Sequence, residues 1–150
     1  MTLRCELLRE FSEVPHCFTL QSCYGHFVHE RQPDAHNLEP LAGYAGVIDE
    51  VLYRIAYLAV CIRNSEAGFA LQRDLRDVAG IDPSYIQFGS AGWFWERRIN
   101  TYVLQVEPER CRLEDTCPVG IDEALRLEQV RERFFRELLG IARRHRYPEG

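Results

Sequence analysis

Tyr53-Arg54-Ile55-Ala56-Tyr57-Leu58-Ala59-Val60-Cys61-Ile62 is the stretch on which the fold turns. Two periodicities compete in it. Val47, Val51, Ile55, Leu58 and Ile62 fall on one side of a helix, whereas the near-continuous apolar run from Tyr53 to Ile62 suits a buried strand. We read 53–62 as a strand, and the spacing by itself leaves a helix over 47–62 open.

Downstream the signals are clearer. Residues 65–79 predict a helix capped by Asn64 or Ser65, whose side chains accept from otherwise unbonded N–H groups. Phe69, Leu71, Leu75 and Val78 form its apolar stripe, and Gly80 with Asp82-Pro83 ends it. Residues 85–95 and 101–107 read as a β-hairpin closed off by Pro108, and residues 111–118 as a loop. Residues 121–146 form a long helix with Leu127, Val130, Phe134, Leu138 and Ile141 facing the core. Asp122 and Glu123 stand at its start; Arg143, Arg144, His145 and Arg146 stand at its end, as the helix dipole favours. Those last four cationic and imidazole groups are expected to be unopposed, unlike the arginines earlier in the helix, which are interleaved with carboxylates.

Upstream, residues 30–46 carry Pro33, Asp34, Asn37, Pro40, Gly43 and Gly46 and predict a loop long enough to be a functional lid. Residues 16–29 look extended, with Gly25 marking a bulge, a tight turn or a close approach. Residues 2–13 predict an amphipathic helix through Leu3, Leu7, Leu8 and Phe11, stopped by Pro15. The expected architecture is α+β: one domain over 1–150, with a mostly antiparallel sheet packed against two or three helices that include the long C-terminal one.

The chain has 150 residues, enough to build a core without covalent staples. No apolar run reaches the roughly 20 residues of a membrane span, and the first residues lack the apolar core of a signal peptide. No membrane partner and a cytoplasmic location are therefore expected. The six cysteines show no CxxC pair and are expected to be free thiols. All 18 basic residues are arginine, which excludes Schiff-base and P-loop lysine chemistry. Arginine also suits bidentate recognition of phosphate or carboxylate. A net charge of −5 argues against broad, nonspecific nucleic-acid binding.

Two segments concentrate the chemistry. In Ser22-Cys23-Tyr24-Gly25-His26 a glycine is flanked by a hydroxyl, a thiol and an imidazole. Glycine admits a ligand to the main chain, and Ser22 and His26 supply hydrogen-bonding and proton-accepting groups. The alternative is a bulged strand with a buried cysteine. Cys23-x2-His26-x2-His29 invites a zinc reading that Cys17 or His16 would complete. In a strand, however, Cys23 and His29 share one face and His26 the other, so no metal is expected. The second segment runs Gln87-Phe88-Gly89-Ser90-Ala91-Gly92-Trp93-Phe94-Trp95-Glu96-Arg97-Arg98. Small residues beside Trp93 and Trp95 make a stacking wall, and Arg97 and Arg98 follow as phosphate contacts, a combination that suits an unstacked base. The alternative is tryptophans packed under a helix.

Ser22-Cys23-Tyr24-Gly25, at the end of an extended segment that follows a short helix, resembles the Ser-Cys-x-Gly motif of the tRNA wybutosine-synthesis N4-methyltransferase family. The order of the later elements is similar, including a Gly/Ser-bearing strand and a strand ending Val106-Glu107-Pro108. His26 stands where that family commonly has arginine, and its Ser-Gly pair appears as Gly89-Ser90, reversed. The resemblance implies a nucleotide- or RNA-binding domain that uses S-adenosylmethionine to methylate a modified guanosine in tRNA. Ser22, Cys23, Gly25 and His26 would line the site, with Gly89 and Ser90 across from them. No residue is nominated as the catalytic base. The competing expectations are a non-enzymatic binding or oligomeric interaction domain, and a thiol or metal protein built on Cys17–His29.

Overall fold

Residues 53–62 are extended in the computed structural model, which describes residues 2–29, 37–90, 100–112 and 116–146. They span the junction of β3 (Glu50–Arg54) and β4 (Ala56–Ile62). The segment at 16–29 likewise divides, into β1 (Cys17–Cys23) and β2 (His26–Val28). The two ribbons run antiparallel and break at one level. Cys23 pairs with Tyr57 on one side of the break and His26 with Arg54 on the other.

Each ribbon thus serves two sheets. With β5 (Ile86–Ser90) and β6 (Thr101–Val106), a four-stranded sheet has the order β1-β4-β6-β5. With β7 (Thr116–Gly120), a three-stranded sheet has the order β2-β3-β7. Every pairing is antiparallel. β7 corrects the expected loop at 111–118. Cys117 and Val119 alternate inward, and Pro118, which has no N–H to donate, is tolerated because β7 is an edge strand.

Three helices complete the α+β domain: α1 (Leu3–Ser12), α2 (Glu66–Val78) and α3 (Ile121–Arg146). Ala56, Leu58, Val60 and Ile62 from β4 and Leu104 and Val106 from β6 share one core with Leu7, Phe11, Leu71, Leu75, Leu127, Phe134 and Leu138. Each such large side chain contributes about 1.5–3 kcal/mol when fully buried. The opposite face of the four-stranded sheet holds a separate small cluster, Ala59 and Val103 with Leu20 and Tyr57. The helices therefore cover one face.

α2 begins as expected at Ser65, whose Oγ accepts from the Gly68 N–H at 3.1 Å. Leu71, Leu75 and Val78 are buried, but Phe69 is 45% exposed. Two residues before Leu71, Phe69 sits about 200° around the helix from the stripe. Its inward place goes to Gly68, where a Cβ would lie 1.9 Å from the Arg63 carbonyl oxygen.

The end of α3 is not unopposed. Arg143 pairs with Glu6 at 2.8 Å, Arg146 with Glu10 at 2.8 Å, and His145 with Asp74 at 2.7 Å. The partners come from α1 and α2, so distance along the chain hid them. Nor are all cysteines free. Cys111 and Cys117 form a disulfide with a Cα–Cα distance of 5.9 Å, whereas Cys5, Cys17, Cys23 and Cys61 remain thiols.

Candidate functional site

The break between the sheets is built around Gly25. Its φ of 83° lies in the left-handed region that glycine enters without strain. A Cβ there would lie 2.9 Å from the Arg54 carbonyl oxygen and 3.1 Å from the Ala56 nitrogen, so the facing ribbon leaves no room for a side chain. The Gly25 N–H reaches Cys23 Sγ at 3.4 Å. Ser22 and Cys23 are half-buried and His26 is exposed. The structure therefore gathers Ser22, Cys23, Gly25 and His26 at one corner, along the edge of both sheets.

Gly89 and Ser90 lie elsewhere. They are on β5, at the opposite edge of the four-stranded sheet. Three inter-strand steps separate β1 from β5, about 14 Å at the usual strand spacing. Ser90 aligns through Tyr102 and Val60 with Thr19, and Gly89 through Val103 and Ala59 with Gln21, both short of the corner. Trp93, Trp95, Arg97 and Arg98 lie outside the described residues.

Beneath the corner is a buried polar centre. The Tyr53 hydroxyl donates to the Val106 carbonyl oxygen at 2.5 Å and accepts from the Ala56 N–H at 3.1 Å, bridging the break. Phe27 stacks on the Tyr53 ring at 4.9 Å. Arg131, on the inner face of α3 and only 3% exposed, lies 4.1 Å over the Tyr24 ring and 5.5 Å over Phe27. Its Nη2 is ion-paired with Glu39, while Nε and Nη1 are buried with no hydrogen-bond partner among the described residues. Burial is the main influence raising the Tyr53 hydroxyl pKa. The Ala56 N–H and the Arg131 charge oppose it, and Cys23 and Glu107 add to it. Those three side chains share one electrostatic neighbourhood.

Glu107 follows β6, and its N–H donates to the Tyr85 carbonyl oxygen at 2.8 Å. The residue is fully buried, and neither carboxylate oxygen has a hydrogen-bond partner among the described residues. Burial pushes its carboxyl up to about 7, against the pull of Arg112. An unsatisfied buried polar group costs about 1–3 kcal/mol, and more when charged. Among the described residues Glu107 and Arg131 each keep two buried side-chain polar atoms without a hydrogen-bond partner, which packing alone does not explain.

A strap of chain crosses this centre. The Leu38 N–H donates to the Phe27 carbonyl oxygen at 2.8 Å, and the Phe27 N–H to Asn37 Oδ1 at 3.1 Å. The Leu41 N–H donates to Glu128 Oε2 at 3.2 Å. Between these ties stands Glu39, with Asn37 Nδ2 donating to its other oxygen at 2.9 Å.

Sequence reasoning missed Arg131. Its signal was position: it lies four residues after Leu127 and three before Phe134, squarely on the apolar face of α3. Arg54, the other arginine set among apolar residues, is exposed. Burial, with Cys61 nearby, pushes the Cys17 thiol up to about 12, which makes it a poor nucleophile. Among the described residues no three His, Cys, Asp or Glu side chains are grouped to hold a metal ion. Nor is any helix there long and apolar enough to cross a membrane.

No family model and no curated protein matches the sequence. Two solved structures are similar in shape. A hypothetical protein from Aeropyrum pernix has a TM-score of 0.48 at 9% identity, covering 94% of this chain and 94% of its own. The PH1069 protein from Pyrococcus horikoshii has a TM-score of 0.45 at 12% identity, covering 98% of this chain and 85% of its own.

Proposed function

We propose that this domain binds a nucleotide-like ligand at the Ser22–His26 corner and acts as an S-adenosylmethionine-dependent methyltransferase on tRNA, in the cytoplasm. One observation carries the reading. The Ser22-Cys23-Tyr24-Gly25 quartet lies at the break in an edge ribbon, because β1 and β2 are both outermost in their sheets. Among the described residues one side of the main chain there is not laddered to another strand, and the left-handed turn at buried Gly25, which packs against Arg54 and Ala56, fixes the course of that edge. The Ser22 hydroxyl and the His26 imidazole flank that edge with groups that donate and accept. An adenine or guanine edge, or a ribose, is recognised by this kind of main-chain and short side-chain lining.

S-adenosylmethionine at millimolar concentration should raise the melting temperature of the wild-type protein. A Gly25→Val variant, in which a branched side chain meets the Arg54 carbonyl, should lose the shift. No shift in the wild type at millimolar ligand counts decisively against the reading.

The same edge favours a second reading, an interaction domain that adds a partner's strand to β1. Phe18 on that strand is 50% exposed, as an anchor for such a partner would be. The register of β1 slips between Thr19 and Gln21, however, and a bulge of this kind blunts an edge against strand addition. Sedimentation at increasing concentration separates the two: an oligomer lost on Phe18→Ser supports the second.

A further inference from the structure

We propose that Arg131 is an anion-binding residue whose guanidinium receives a ligand carboxylate or phosphate when the Glu39 strap lifts. The proposal rests on the Ser22–His26 corner being a ligand site, and it assigns that site a charge preference.

A guanidinium offers five donors in a planar fork and matches a two-oxygen anion bidentately. Here Glu39 engages only Nη2, leaving Nε and Nη1 buried and without partners among the described residues. Buried donors on a cation are normally satisfied, so these two nitrogens are positioned to donate to a further acceptor. The ring of Tyr24, the third residue of the motif quartet, lies 4.1 Å from the guanidinium carbon, and Phe27 supports it at 5.5 Å. The cation is thus held in orientation by aromatic faces rather than by hydrogen bonds. Such a cation keeps its place when its carboxylate partner changes.

Glu39 behaves as a stand-in for the ligand. Its side chain is 19% exposed against 4% for that of Arg131, so the guanidinium lies one side chain below the surface. The strap that carries it is tied down at Asn37, Leu38 and Leu41 by hydrogen bonds. A carboxylate on a strap of this kind competes with an incoming anion for the same charge and is expelled by one that takes two nitrogens.

The test is isothermal titration of the full chain at constant ionic strength with two probes, inorganic phosphate and acetate. Glu39→Gln removes the competitor and should tighten binding of one probe about tenfold, the equivalent of about 1.4 kcal/mol. Glu39→Gln combined with Arg131→Gln should abolish it, and this pair leaves no orphaned carboxylate that would unfold the protein. Phosphate as the tighter probe indicates a nucleotide or RNA phosphate; acetate indicates a carboxylate such as that of an amino-acid moiety. Binding that is no tighter in Glu39→Gln, or that survives in the double variant, overturns the proposal. Loss of anion binding is read independently of the S-adenosylmethionine shift. A shift that persists with no anion effect sinks this inference alone, and an anion effect without the shift sinks the methyltransferase reading alone.

Discussion

Gly25 and Gly89 look alike in sequence, each within two residues of a serine or cysteine, yet their surroundings differ. A Cβ on Gly25 meets backbone atoms at 2.9 and 3.1 Å with φ at 83°, and one on Gly89 meets nothing within 4 Å. Gly25→Ala should therefore destabilise the protein by about 1–3 kcal/mol, and Gly89→Ala should change stability by no more than about 1 kcal/mol. Urea denaturation of both variants checks this, and equal midpoints would be inconsistent with the strand break described. The role of Gly25 as an interruption was readable in the sequence because a glycine inside an aromatic and β-branched run has few other meanings. The roles of Arg131 and Glu107 were not. Arg131 sits among the carboxylates of a helix that pairs most of its arginines at the surface, and Glu107 reads as the polar member of an alternating strand. Only the packing of α3 and of the end of β6 shows that both are buried.

At the level of elements, the strong periodicities transferred well. The core positions foreseen for α3 are all buried, and those of α1 and α2 hold apart from Phe69. What failed was any element whose signal was short or whose partner was distant. β7 has five residues, one of them proline, and gains its identity from pairing with β3. The disulfide that ties β7 back to Cys111 joins cysteines six residues apart in sequence. Closing a loop of that size stabilises by about 2 kcal/mol in the chain-entropy account. Adding reductant should lower the unfolding free energy by that amount, and the Cys111→Ser/Cys117→Ser variant should show no response to reductant. A wild type indifferent to reductant would mean the bond contributes nothing to stability.

Over the whole molecule, pH acts on two sets of carboxylates in opposite directions. Hydrogen bonding to Arg146 holds the Glu10 carboxyl below its usual range, as Arg110 does for Glu123. Their stabilisation is present above the ordinary carboxylate value and is lost as pH falls through their lowered ones. Glu107 has the opposite sign. Its folded-state value near 7 lies above the unfolded one, so its contribution is complete below about pH 4.5 and is lost as pH rises through 7. At about 1.36 kcal/mol per unit, the rise from 4.5 to about 7 makes the loss roughly 3 kcal/mol. Stability should peak near pH 5, fall towards pH 8, and lose that alkaline fall in Glu107→Gln. Thermal melts across pH 4–8 measure it; an identical slope in the variant would remove Glu107 as the cause.

The pairing of Arg143 with Glu6 spans 137 residues. α1 leaves the ribosome early but finds its partner only when α3 follows. At about 5–20 residues per second, that interval is roughly 7–27 seconds of synthesis. Through it, the sheet face that α3 will cover and the unladdered edge of β1 are exposed together on a nascent chain. Translation speed and chaperone capture during that window, more than the equilibrium stability of the finished domain, would then govern how much of the protein reaches its folded form.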